Sequence, residues 1–155
     1  ILSANGVAVD ETEQGTLLQR GAMACPALPT CGLSLAESER YLPEFLGVVE
    51  DVLAGEGLAE EQIIVRMTGC PNGCARPYMA ELGIVGRSPG KYAVYLGGNA
   101  DSTRLGRLYN QNVKVDEMKA TLGPIVARFK NEREAGEGFG DFCARTIWPE
   151  QEVAE

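Results

Sequence analysis

The sequence contains no histidine. That removes the commonest general base, the commonest metal ligand besides cysteine, and every Ser-His or Cys-His catalytic pair. Cations are also scarce: 14 Lys plus Arg stand against 22 Asp plus Glu, for a net charge of −8. Binding to a phosphate backbone rests on clustered Lys and Arg, so nucleic acid is not expected as a partner. No apolar run approaches the roughly 20 residues of a membrane span, and no signal-peptide pattern opens the chain, so a membrane is not expected either. Internal repeats and low-complexity linkers are missing. Chemistry on this chain therefore rests on thiolates or on a bound cofactor.

What is present suits one domain, residues 1–155, with 45% hydrophobic residues to build a core. Ile1 rather than methionine opens the chain, which reads as a processed or excised piece. Five cysteines is an odd number, and no secretory signal accompanies them. A disulfide framework is not expected, and the compartment is read as cytoplasmic.

Four of the five cysteines fall in two pairs, Cys25-x5-Cys31 and Cys70-x3-Cys74, with Cys70 placed 39 residues after Cys31. Zinc knuckles use tighter spacings, and Pro26 and Pro29 make the first pair a poor one. The C-x2-C-x2-C run of ferredoxins is absent. Three readings stay open on spacing alone: an iron–sulfur cluster held by two distant loops, a structural zinc, or small core cysteines. Proline follows the first cysteine of each pair and favours extended geometry there. Gly69 and Gly73 let the backbone approach, so that N–H groups can bond cluster sulfurs.

The remaining chain reads as α+β, a small, mostly antiparallel sheet with helices on one side. Residues 1–21 are a lead-in with one short helix, and the acidic residues after Pro149 read as a tail. Ser34-Leu35-Ala36-Glu37 has the form of a capping box, and apolar residues recur at helical spacing from Leu35 to Leu53. Pro43 is expected to kink or split that helix, and Gly55 and Gly57 to end it. Strands are expected at 63–68, from Gly83, and at 91–96, with a turn at Pro89-Gly90. A brief helical turn is expected at 75–82. Residues 105–113 fit strand or helix equally. Helices are expected over 118–129, flawed by Pro124, and within 136–147.

The stretch Thr68-Gly69-Cys70-Pro71-Asn72-Gly73-Cys74, with C-x5-C upstream, resembles the sulfite and nitrite reductases that carry sirohaem. The resemblance extends through Ala80-Glu81-Leu82-Gly83, Tyr95-Leu96-Gly97-Gly98-Asn99 and Glu132–Phe142, and so over about residues 22–147. It implies the C-terminal half of a pseudo-repeated fold. It also implies a 4Fe–4S cluster on Cys25, Cys31, Cys70 and Cys74, with Cys74 doubling as axial ligand to sirohaem and as the catalytic residue. Asn72 would lie at the sirohaem edge. The implied reaction is the reduction of sulfite to sulfide, with electrons from a flavoprotein reductase subunit. The basic residues that hold the sirohaem carboxylates would come mainly from an N-terminal half that this chain lacks.

Other residues read as structural. Cys143, beside Phe139 and Phe142, is a small core residue. Arg104 and Arg107 are solvated surface. Tyr92 and Tyr95 are strand packing. Asp141 is an ion-pair partner for Arg133 or a cap.

Overall fold

In a computed structural model of the chain, residues 1, 3–6 and 15–148 are described. The acidic tail and part of the lead-in, residues 2 and 7–14, lie outside them. A five-stranded sheet runs in the order β1 (Met23–Ala24), β2 (Val65–Thr68), β3 (Leu82–Ser88), β4 (Lys91–Leu96) and β5 (Arg107–Lys114). The helices are α1 (Leu17–Gly21), α2 (Leu42–Gly55), α3 (Met118–Glu132) and α4 (Phe139–Thr146). The expected α+β architecture holds. Antiparallel pairing joins β3, β4 and β5, while β1 to β2 and β2 to β3 are parallel.

Each parallel step needs a crossover of a dozen or more residues. The first is supplied by residues 25–64, which contain α2. The second is supplied by residues 69–81, the loop that holds Cys70 and Cys74, whose only regular structure is a 3₁₀ turn at Pro77–Met79. The helical turn expected at 75–82 is thus tighter and shorter.

Alternation along the strands separates two faces. Val65, Met67, Leu82, Ile84, Tyr92, Val94 and Leu96 point to one face and share a core with the apolar faces of α2, α3 and α4. In that core Phe45, Phe129, Phe139 and Phe142 are essentially inaccessible, each burial contributing about 1.5–3 kcal/mol. On the opposite face, Tyr95 meets the crossover loop, its ring edge-on to Tyr78 at 4.9 Å. Gly83 lies under the same loop, where any Cβ would run into the Pro77 carbonyl.

Two local expectations need correction. The Ser34–Glu37 sequence does not start a helix, because tertiary bonds use its groups. The Ser34 hydroxyl donates to the Ala36 carbonyl at 2.8 Å, and the Leu35 and Ala36 amides both donate to the Gly69 carbonyl. Instead α2 begins at Leu42, which places Pro43 in the first turn, where its missing N–H removes no helical bond. No kink follows from it. Pro124 does lie inside α3, as read from the sequence. Residues 107–114 form a strand whose side chains are exposed except Val113, so neither hydrophobic period shows in that stretch.

Candidate metal and cofactor site

Cys25 and Cys70 stand at the carboxyl ends of adjacent parallel strands, Cys25 one residue after β1 and Cys70 two residues after β2. Ligands in parallel sheets gather outside such ends, where crossover loops diverge. Backbone bonds lock the two loops together. The Cys25 amide continues the β1–β2 ladder to the Met67 carbonyl at 3.2 Å, and the Cys25 carbonyl accepts from Glu39 at 3.1 Å. The Gly69 amide donates to Cys25 Sγ at 3.3 Å, joining the first cysteine of one pair to the neighbour of the first cysteine of the other. Gly69 is enclosed by Ser34, Ala36 and Ala27, so a side chain there would separate the loops.

Cys31 is half-buried; its amide donates to Ala27 at 2.7 Å and its carbonyl accepts from Ser34. Cys70 is buried and Cys74 exposed. Between them Gly73 takes φ +68°, a backbone conformation that residues bearing a side chain rarely adopt, and Tyr78 packs against it. The Tyr78 hydroxyl donates to the Pro71 carbonyl at 2.9 Å and pins the loop to the sheet. Asn72 is exposed beside Cys74.

All five cysteines are free thiols. Among the described residues, no three Cys, Asp or Glu side chains converge as a single ion requires. A multi-iron cluster makes a different demand, since each iron takes its own thiolate. Four free thiols on two hydrogen-bonded loops suit that donor chemistry, with one sulfur already accepting a backbone N–H. Of the four, Cys74 is the exposed thiol, whereas Cys25 and Cys31 are half-buried and Cys70 is buried.

Cys143 lies outside this constellation. It is fully buried on α4, and burial, followed by the nearby Glu81 carboxylate, pushes its thiol far up. The core reading stands. Tyr92 and Tyr95 pack as read, Tyr92 stacking on Tyr41 at 5.5 Å. Two ion-pair readings change. Asp141 pairs with Arg104 at 2.6 Å, and Arg133 with Glu61 at 2.6 Å, because Arg133 at the end of α3 faces the loop before β2 rather than α4. Arg104 is accordingly not free surface; it also donates to the Gly97 and Gly98 carbonyls and ties the Gly97-Gly98-Asn99 loop to α4. Arg107 is exposed, as expected.

Glu81 carries a role that sequence reasoning missed. It is 5% exposed, and its two carboxylate oxygens accept from the Ile64 amide at 2.8 Å and the Gly140 amide at 2.9 Å. Burial raises its pKa, against the pull of those two N–H bonds. One side chain thereby fastens the entry to β2, the end of the cysteine crossover and the start of α4. The available signal was a single acid set between Ala80 and Leu82 in an otherwise apolar run.

No family model matches the sequence. Curated relatives do. The chain is 51% identical over 138 residues to the NADPH sulfite reductase haemoprotein beta-component of Myxococcus xanthus, an alignment covering 89% of the chain and 25% of the relative. It is 55% identical over 128 residues to the same component from Staphylococcus carnosus, covering 83% of the chain and 22% of the relative. The chain belongs to the sulfite reductase haemoprotein family. It spans about a quarter of the length of these relatives. Among solved structures, the NirA protein of Mycobacterium tuberculosis matches with a TM-score of 0.72 and 29% identity, over 93% of the chain and 28% of NirA. The likeness extends to the fold, over a part of NirA. Among its described residues no helix is long and apolar enough to cross a membrane.

Proposed function

We propose that this chain is the C-terminal cofactor-holding portion of an assimilatory sulfite reductase haemoprotein. Cys25, Cys31, Cys70 and Cys74 would hold a 4Fe–4S cluster, and Cys74 would also ligate sirohaem iron. When bound, these coupled groups would supply the electrons for the six-electron reduction of sulfite to sulfide. The observation that carries the reading is the pair of cysteine loops at neighbouring strand ends, joined through the Gly69 N–H to Cys25 Sγ bond. The protein's own part is to hold and orient. Parallel pairing of β1 and β2 sets the spacing of the loops, the Gly69 amide stabilises a thiolate, and the Tyr78–Pro71 bond keeps the second loop in shape. The exposed Cys74 presents its sulfur outward.

The substrate anion and the sirohaem carboxylates need fixed cations. A chain of net charge −8 supplies few, so the rest of a full-length haemoprotein would provide them. A flavoprotein reductase would deliver electrons, in keeping with the NADPH in the relatives' name, and a cytoplasmic location suits that donor. The test is iron and acid-labile sulfide analysis after anaerobic reconstitution, with an optical spectrum. Wild type and Cys143→Ala are expected to bind equal iron, whereas Cys25→Ser, Cys31→Ser, Cys70→Ser and Cys74→Ser lose it. Zinc without iron would establish a structural zinc module instead, and iron lost on Cys143→Ala would show a different ligand set.

A further inference from the structure

The outer face of β2 carries two polar groups that find no hydrogen-bond partner among the described residues. Thr68 is 1% exposed, and its hydroxyl has no hydrogen-bond partner. Arg66, two residues earlier and on the same face, has a buried Nη1 that is likewise unpartnered. Each such donor keeps its full desolvation cost if nothing is ever supplied to it, and that cost is larger where the group is charged. Native folds rarely keep one without a use.

A second guanidinium stands beside the first. Arg76 and burial together disfavour the charge on Arg66, burial being the larger effect. Neither arginine joins an ion pair among the described residues. Arg76 Nη2 reaches only Met23 Sδ, at 4.0 Å. In a chain this rich in carboxylates, two adjacent cations without an anion mark a place where an anion is expected.

Their position says which anion. The β1–β2 register pairs Met23 with Arg66 and Ala24 with Met67, so Cys25 comes next to Thr68. Thr68 precedes Cys70 by two residues, and Arg76 follows Cys74 by two. The unpartnered donors therefore bracket the cysteine loops, where the Gly69 amide already bonds a sulfur.

We propose that Arg66, Thr68 and Arg76 form a cationic, hydrogen-bond-donating wall that stabilises the negative charge of the cysteine-held iron–sulfur cluster. The inference rests on the cluster reading above. Four thiolates leave such a cluster with net negative charge, and reduction adds one more. Cations and N–H or O–H donors at its edge favour the reduced form and raise its potential.

The test is a redox titration of the cluster-loaded holoprotein, followed by the electron paramagnetic resonance of the reduced cluster. Iron per chain is measured in parallel. Arg66→Met and Arg76→Met are expected to shift the midpoint to more negative potential with iron retained. Arg66→Lys keeps the charge and is expected to stay near wild type. Thr68→Val, isosteric but without the hydroxyl, is expected to give a smaller negative shift. Arg76 is exposed, so its replacement threatens folding least. Full iron with an unshifted midpoint in Arg76→Met and Thr68→Val overturns the inference and leaves the cluster reading intact. An unshifted midpoint with impaired sirohaem retention also overturns it, and reassigns the wall to a macrocycle carboxylate. A wild-type protein that takes up no iron fails the cluster reading itself.

Discussion

A single buried carboxylate at the end of the cysteine crossover, Glu81, ties that crossover to two other segments. Glu81 satisfies two amides on segments far apart in sequence. Removing a partner from a buried donor leaves that donor's full desolvation cost in place. Glu81→Gln keeps the shape but offers one acceptor to two N–H groups, and its own NH2 then faces an amide. A loss of about 1–3 kcal/mol is expected, read as a lower denaturant midpoint at unchanged slope. A neutral result would mean that these bonds contribute nothing net. The same side chain shows a limit of local reading. An acid in an apolar run can be noticed, but its partners, Ile64 and Gly140, lie 17 and 59 residues away.

Among the elements, two helices show opposite glycine chemistry. Gly123 lies inside α3 with no atom within 4 Å of where a Cβ would stand. Ala there should raise stability by about 0.5–1 kcal/mol, through helix propensity and a less flexible unfolded chain. Gly140 opens α4 against the Gly98 carbonyl and the Glu81 side chain. Ala there must push the helix off the sheet, so Gly140→Ala should cost several times what Gly123→Ala gains, on the order of 1–3 kcal/mol. Thermal unfolding of both variants checks the contrast, and equal effects would contradict the close approach. At this scale the sequence was legible wherever a period reached a core. The strand at 91–96 read correctly because it is a short apolar run buried on both faces, and the α3 face from Met118 to Phe129 because one side of that helix is buried. The segment Ser34–Glu37 misled because its groups bond Gly69, and β5 gave no period because it is exposed on both faces.

For the molecule as a whole, charge makes two expectations. Arg145 binds Glu137 through two bonds of 2.7 Å and holds its carboxyl down at about 2, with help from the Glu134 amide. A carboxyl depressed in the folded state contributes stability above its unfolded pKa and loses it as pH falls toward the folded value. Wild type should thus weaken between the ordinary carboxylate range and about pH 2, and Arg145→Met should flatten part of that slope. An identical acid limb in both proteins would remove Glu137 from the balance. The second expectation concerns activity. The 155-residue chain alone, of net charge −8, should not turn over sulfite with a chemical reductant and added sirohaem. Turnover under those conditions would show that the chain holds a complete anion site of its own.

Residue identity alone determined the candidate chemistry. Missing histidine and four paired cysteines narrowed it to thiolates, and the Thr68–Cys74 motif pointed to the sulfite and nitrite reductases, because ligand type and spacing are local properties of a chain. Hydrophobic period located most elements for the same reason. Tertiary structure alone decided what lies beside the cysteines. Parallel pairing of β1 with β2 brings Cys25 to Thr68 and Gly69, and it leaves Arg66 and Arg76 together with no carboxylate partner among the described residues. Those neighbours come from segments tens of residues apart, joined by hydrogen bonds between backbones, and no pattern within one segment encodes which partner a backbone amide will find.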